Sequence, residues 1–201
     1  MSIILLRHGQ TTANVGRILD TVVPGHPLTE LGEEQARKVG AELAQEYPGM
    51  TQVWHSPALR ARQTAHLAAS TYGELVPEER EGIQEISAGN LEGDNSPESL
   101  DMYFQAVGAM MRQELGASVP GGEDFQTLLN RYQPVLEEAS DTNTVLVSHG
   151  AAIRTMACLA TGVDPRYALR AYVPNCRYVV LEPSGRFGQW GIHRWADGPL
   201  P

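Results

Sequence analysis

Cysteine is scarce: the 201 residues contain only Cys158 and Cys176, far apart and with no CxxC pair, which argues against both a disulfide framework and a zinc ribbon. Two free, buried thiols are expected. No run of about 18 apolar residues occurs, so no membrane-spanning helix is expected. The apolar start Ile3-Ile4-Leu5-Leu6 is too short for a signal-peptide core and is followed by Arg7, so the expected location is the cytoplasm. Neither His-x-His nor His-x-x-x-His spacing is found. No metal site is therefore expected, and His55, His66 and His193 read as structural or surface residues. Positive charge is also in deficit: 15 basic residues face 24 acids, a net charge of -9. Such a chain repels nucleic acid and anionic membranes, so neither is expected as a partner. The bases that gather, Arg60 and Arg62, with Arg7 standing alone, lie beside candidate catalytic residues. That pattern suits a small anionic ligand. No linker, internal repeat or low-complexity tract divides the chain, so one domain is expected over 1–201.

What is present suffices for a core: 42% of the residues are hydrophobic, with three Trp, seven Tyr and three Phe. Ile3 to Leu6 reads as a strand buried on both faces that ends at Arg7-His8-Gly9. Pro24-Gly25-His26-Pro27 breaks the chain before Thr29, which can cap a helix with Glu30, Glu33 and Glu34 in its first turn. The apolar stripe of that helix is Ala36, Val39, Gly40, Leu43 and Tyr47. Thr51 to His55 reads as a second strand, and Ser56-Pro57 has the cap-plus-proline pattern that opens another helix, placing Arg60 in its first turn.

Leu100, Tyr103, Phe104, Val107, Met110 and Met111 recur at helical spacing. Phe125, Leu128, Leu129, Tyr132 and Leu136 do the same, in a helix that Pro134 should kink or shorten. Thr144 to Val147 is a further buried strand, ended by Ser148-His149-Gly150 and followed by an apolar helix closing near Gly162. Arg177 to Leu181 and Phe187 to Trp195 read as late strands around the Pro183-Ser184-Gly185 turn. Strands alternating with helices predict an α/β fold with a mainly parallel sheet. His8, Ser56 and His149 then share the carboxyl edge, where such sheets bind ligands.

Cleavage of a phosphate ester without a metal requires a nucleophile, cationic donors for the phosphoryl oxygens and an acid for the leaving oxygen. His8 can attack as a neutral imidazole, a form that neighbouring guanidinium groups favour. Arg7 and Arg60 suit a clamp, because a guanidinium forks onto two phosphate oxygens. His149 can add a further donor.

Leu6-Arg7-His8-Gly9-Gln10-Thr11 with Asn14, Ser56-Pro57 with Arg60-Ala61 and Gln63-Thr64-Ala65, and Ser148-His149-Gly150 together resemble the histidine phosphatase superfamily, which includes the cofactor-dependent phosphoglycerate mutases. The resemblance spans nearly the whole chain and implies a three-layer α/β/α sandwich. It implies that His8 is the phosphorylated nucleophile, with Arg7, Asn14, Arg60, His149 and Gly150 around the phosphate and no cofactor. The segment Glu85 to Gly93 is similar to the one that carries the family's proton donor, which implies that role for Glu85 and a structural one for Glu92. Ala88 and Leu91 stand where aromatic residues are common, and His26 replaces the acid often found before Pro-Leu-Thr. Pro120-Gly121-Gly122-Glu123 resembles a family turn near the pocket, and Asn175 matches a supporting position.

The expected substrate is a small phosphorylated metabolite, hydrolysed without a metal. Substrate contacts are expected within 87–124, a cap or specificity segment, with Asp20 to Val23 as a second wall. Within that segment Tyr103-Phe104 and Met110-Met111 read as the core face of a helix, a lid over 97–115 being the alternative. Two alternatives stand beside hydrolysis: mutase-type phosphoryl transfer and a non-catalytic phosphate-binding module. The chain is short for a mutase, and retention of His8, Arg60, Glu85 and His149 argues against a dead module. A homodimer is compatible with such a domain.

Overall fold

The computed structural model describes residues 1–73 and 75–200. Six strands form one sheet: β1 (Ile3–Arg7), β2 (Gln52–His55), β3 (Glu78–Glu79), β4 (Thr144–Ser148), β5 (Tyr178–Glu182) and β6 (Gly191–Trp195). Their order is β3-β2-β4-β1-β5-β6. The pairs β3·β2, β2·β4 and β4·β1 are parallel, whereas β5 and β6 add antiparallel on the far side. All five residues of β1 and of β4 are buried, as unbroken apolar runs covered on both faces should be.

Alternate residues of β1, β2, β4 and β5 feed two cores. Ile4, Leu6, Val53, Val145 and Val147 pack against α2 (Glu30–Glu46) and α3 (Leu59–Ala69). Ile3, Leu5, Trp54 and Leu146 face α5 (Phe125–Ala139) and α6 (Gly150–Thr161), with α4 (Pro97–Met111) laid over α6. This is the three-layer α/β/α sandwich with a mainly parallel sheet that the sequence predicts. Two short helices, α1 (Thr12–Gly16) and α7 (Pro165–Arg170), and the two-residue strand β3 have no periodic signal. No helix among the described residues is long and apolar enough to cross a membrane.

Local signals place several boundaries. Thr29 caps α2 by accepting from Gly32 N at 3.0 Å. Gly162 ends α6 in the left-handed conformation at φ 70°. Cys158 and Cys176 are buried free thiols.

Three expectations need correcting. The strand expected over Phe187 to Trp195 begins only at Gly191, because Gly188 N and Trp190 N are taken up by the Ala160 carbonyl instead of a sheet neighbour. Of the kink or shortening expected at Pro134, the shortening does not occur: α5 continues to Ala139. An interior proline costs about 3 kcal/mol. Burial of Tyr132 and Leu136 on either side offsets this at about 1.5–3 kcal/mol each. Nor does Ser56-Pro57 open α3. That helix begins at Leu59 with Ala58 as its cap, because Ser56 Oγ is occupied by Ala58 N at 3.2 Å and by His149 Nε2 at 2.8 Å. Arg60 still lies in the first turn.

Candidate active site

The parallel strands β2, β4 and β1 end side by side, so the residues after them, Ser56, His149 and His8, meet at one edge of the sheet. Beside them lies a cavity of about 380 Å³ whose wall includes Arg7, His8, Asn14, Arg60, Glu85 and Gly150. Gly9 lets the loop after β1 pass the start of α2. A Cβ there would lie 2.5 Å from the Gly32 carbonyl oxygen.

His8 is 4% exposed and held at both ring nitrogens. Nδ1 lies 2.7 Å from the Gly9 carbonyl oxygen, an acceptor only, so this nitrogen carries the proton. Nε2 then keeps its lone pair and accepts from Arg60 Nε at 3.2 Å. Burial, then Arg60, then Arg7 hold the imidazole pKa well below its ordinary value, so the ring is neutral. Thr64, one turn beyond Arg60, accepts from Gly9 N at 3.0 Å and donates to the Arg60 carbonyl at 2.7 Å. His8, Gly9, Thr64 and Arg60 thus form a closed ring of contacts.

The guanidinium of Arg60 is not a free fork. Nη1 donates to Asp20 Oδ2 at 3.2 Å and Nη2 to the Asp20 carbonyl at 2.8 Å. His26 approaches the same carboxylate, through its backbone N at 3.1 Å and its ring at 3.2 Å. Glu33 of α2 pairs with Arg37, so Asp20 is the acid that Arg60 meets.

Arg7 Nη1 is anchored by Tyr172 Oη at 2.5 Å and the Val173 carbonyl at 2.8 Å, and its guanidinium lies over the Tyr172 ring. Among the described residues its buried Nε has no partner. Gly150 leaves room for this guanidinium, since a Cβ there would lie a tight 3.2 Å from that Nε. His149 lies beside His8, ring centroids 5.2 Å apart, and is fully buried, so it backs the nucleophile rather than forming the cavity wall. Its Nδ1 is likewise unpartnered, and burial followed by the Arg60 charge lowers its pKa well below the ordinary value. An unpaired buried donor costs about 1–3 kcal/mol. Arg7 Nε, on a side chain that lines the cavity, marks a place built to receive an acceptor atom.

Glu85 sits at the start of α6. Oε1 accepts from Ile86 N at 2.9 Å and Ala152 N at 2.8 Å, and Oε2 from Ala151 N at 3.0 Å. Helix amides thus aim this carboxyl group. Its loop is gripped by Arg131, which donates to the carbonyls of Gly82, Gln84 and Glu85 and pairs with Glu123. Glu123 Oε1 also accepts from Ser87 N at 2.9 Å. Glu92 is structural in the same sense, holding Thr21 through its backbone N at 2.7 Å and its hydroxyl at 2.5 Å.

Asn14 Oδ1 accepts from Thr11 N at 3.1 Å and Asn175 Nδ2 at 3.0 Å, and Asn175 Nδ2 also donates to the His8 carbonyl at 3.0 Å. With its oxygen occupied, Asn14 keeps its amide N–H groups for the cavity it lines.

Arg7, His8, Asn14, Arg60, Glu85 and Gly150 therefore converge on one cavity, with His149 set one layer back, whereas Arg62 does not reach it. The segment 87–124 contributes only Leu100, Tyr103 and Phe104 to the wall, and the Asp20 to Val23 stretch only Asp20 and Thr21. Met110, Met111 and Tyr103 are core, whereas Phe104 is 44% exposed at the cavity. Sequence reading missed Arg17, Tyr172, Arg131 and Arg154. Arg17, Tyr172 and Arg154 line the cavity and Arg131 supports it. Arg154 had a local signal, being the one charged residue within the apolar α6, four positions after Gly150. The others depend on contacts distant in sequence.

Comparison with known proteins agrees with this geometry. The family model described as histidine phosphatase superfamily (branch 1) matches residues 3–198. Phosphoserine phosphatase 1 of Hydrogenobacter thermophilus is 30% identical over 192 residues, covering 92% of this chain and 88% of the relative. PE-PGRS family protein PE_PGRS11 of Mycobacterium tuberculosis is 39% identical over 216 residues, covering 97% of this chain, which spans only 36% of that relative's length. Among solved structures, a mycobacterial glucosyl-3-phosphoglycerate phosphatase in complex with VO3 superposes with a TM-score of 0.78 at 24% identity, covering 98% of this chain and 99% of the other, a likeness of fold.

Proposed function

We propose that this chain, which belongs to the histidine phosphatase superfamily, hydrolyses small phosphate monoesters through a phosphohistidine on His8. The observation that carries this reading is the orientation of one ring. His8 presents an unprotonated Nε2 while Gly9 holds its Nδ1 proton. The relative named phosphoserine phosphatase supports a phosphatase rather than a mere phosphate binder.

In this mechanism the Nε2 lone pair is released by Arg60 Nε and attacks phosphorus as the P–O bond to the alcohol breaks. Arg7, Asn14 and the remaining N–H groups of Arg60 hold the phosphoryl oxygens, and His149 Nδ1 and Gly150 support them. The positive charge that a metal would otherwise bring comes from guanidinium groups. Glu85 gives its proton to the leaving oxygen. Oε1 already accepts two backbone N–H groups and Oε2 only one, so Oε2 is the atom with a lone pair left to carry that proton. Water then attacks phosphorus, Glu85 takes its proton, the P–N bond breaks, and phosphate leaves with His8 neutral again. The segment 87–124 acts as the specificity wall of a single domain, on a chain that works in the cytoplasm on a small metabolite.

The test is product analysis of the purified protein, in chelator, against sugar, glycerate, nucleotide and amino-acid phosphates. Free phosphate, together with acid-labile phosphate on the protein that disappears in His8→Ala, is the expected result. A phosphate-migrated isomer without free phosphate would replace hydrolysis by mutase-type transfer, and neither product would remove the catalytic reading.

A further inference from the structure

Beyond the phosphate end of the cavity, α6 carries a second cation that the mechanism does not use. Arg154 is 5% exposed and lies between Ile153 and Thr155, both fully buried. Its Nε donates to the Gly150 carbonyl at 3.2 Å and its Nη1 to the Leu169 carbonyl at 2.9 Å. Both acceptors are neutral, and among the described residues no acid forms an ion pair with it. The remaining Nη2 belongs to a guanidinium that lines the same cavity as His8, with the Phe104 ring 5.9 Å away. Burial pulls the pKa of this group below its ordinary value, as expected of a cation short of counter-charge.

We propose that Arg154 is a specificity-determining residue that binds a carboxylate carried by the alcohol part of the substrate, making the preferred substrate a small phosphorylated hydroxy acid. This rests on the hydrolytic reading above and names the substrate class of the same site.

Two observations set the size and charge of that second group. Gly150 touches both cations, its Cβ direction facing Arg7 Nε and its carbonyl accepting from Arg154. Arg154 follows Gly150 by one helical turn, about 5 Å along the axis. The two anions of the substrate are therefore separated by a few bonds rather than by a sugar chain. Charge gives the second bound. Four arginines (Arg7, Arg17, Arg60 and Arg154) and two acids (Asp20 and Glu85) line the cavity. With Glu85 protonated as the acid, the wall carries three units of net positive charge, which a phosphate dianion and one carboxylate neutralise. A second phosphate would exceed it, and would have only the donors of one Nη2 to meet it.

The experiment compares kcat/KM for 3-phosphoglycerate, glycerol 3-phosphate and glycerol 1,3-bisphosphate in the wild type, Arg154→Met and Arg154→Lys. These substrates differ in what stands opposite the ester: carboxylate, hydroxyl or phosphate. A charge-assisted hydrogen bond implies a wild-type preference for the carboxylate over the hydroxyl of about 10- to 100-fold. Arg154→Met should shrink that ratio to within about threefold, chiefly through KM, with Arg154→Lys between.

Equal use of carboxylate and hydroxyl substrates by the wild type would overturn the proposal, whether or not the variants fold. Equal loss on both in Arg154→Met would also overturn it, leaving only a tie between α6 and α7. A preference for the bisphosphate would replace the carboxylate with a second phosphate. If the wild type turns over none of them and forms no phosphohistidine, the hydrolytic reading fails separately. The same ratio is then read from Kd values measured by calorimetry on the His8→Ala protein, and an unchanged affinity between carboxylate and hydroxyl ligands would overturn the assignment of Arg154.

Discussion

The two ends of the cavity are built differently. At the inner end, Arg7 and His8 at the end of β1 and Arg60 in the first turn of α3 are buried, and each is fixed by at least one bond to a backbone or side-chain partner. At the outer end, Phe104 on α4 and Arg17, the left-handed residue that closes α1, are exposed. The difference teaches a division of labour: the chemistry and the buried charge of Arg154 sit where secondary structure leaves little freedom, and the fit of the rest of the alcohol sits where side chains can be exchanged at little cost in stability.

That comparison breaks if the inner end proves tolerant. His8→Ala should lower turnover by about a thousandfold or more, as loss of a covalent nucleophile does. Activity within about tenfold of wild type would remove the mechanism. Glu85→Gln sharpens it by separating the roles within the inner end. Alkyl phosphates, whose leaving oxygen needs a proton, should lose about 100-fold, and nitrophenyl phosphate much less. Equal losses would take the acid role from Glu85.

A third test reads the burial of the inner end through pH. His8 and His149 have pKa values below the ordinary 6.5 in the folded protein. Below that pH the unfolded chain therefore binds more protons than the folded one. Stability is full above about 6.5 and is lost as pH falls. The thermal midpoint in phosphate-free buffer should decline from pH 6.5 to 5, and His149→Asn, normalised to its own value at pH 7.5, should decline less. A parallel fall would show that other groups govern the acid limb. The smallest effect belongs to the outer end: Phe104→Ala should change KM by a few fold and leave the thermal midpoint within about 2 °C. A large loss of stability would mean that this wall is structural after all.

How legible each end was follows from the range of its contacts. His8, Glu85 and His149 were readable because short runs announce them: a buried strand that stops at Arg-His-Gly or Ser-His-Gly, and a motif with few other uses. Thr29 and Gly162 mark helix ends by local chemistry, and the structure agrees. Asp20 could be assigned to a wall but not to Arg60, because nothing in the sequence couples residues 40 positions apart. Ser56-Pro57 misled for the same reason, since a contact with His149, 93 positions away, outweighed a local capping preference. Arg131 sits on the polar margin of an amphipathic helix and looks like any solvated arginine until Gly82, Gln84 and Glu85 are folded against it.

The ring formed by His8, Gly9, Thr64 and Arg60 has a consequence for heat. Its corners are a strand end and a single turn of α3, closed by Gly9 N to Thr64 Oγ1 at 3.0 Å and Arg60 Nε to His8 Nε2 at 3.2 Å. When the sheet and α3 drift against each other, attacking nitrogen and guanidinium are carried as one body, so their spacing survives motions that would blur a site made from independent loops. Warming should therefore leave the inactivation curve superimposed on the unfolding curve, with no range of temperature in which the chain is folded but idle.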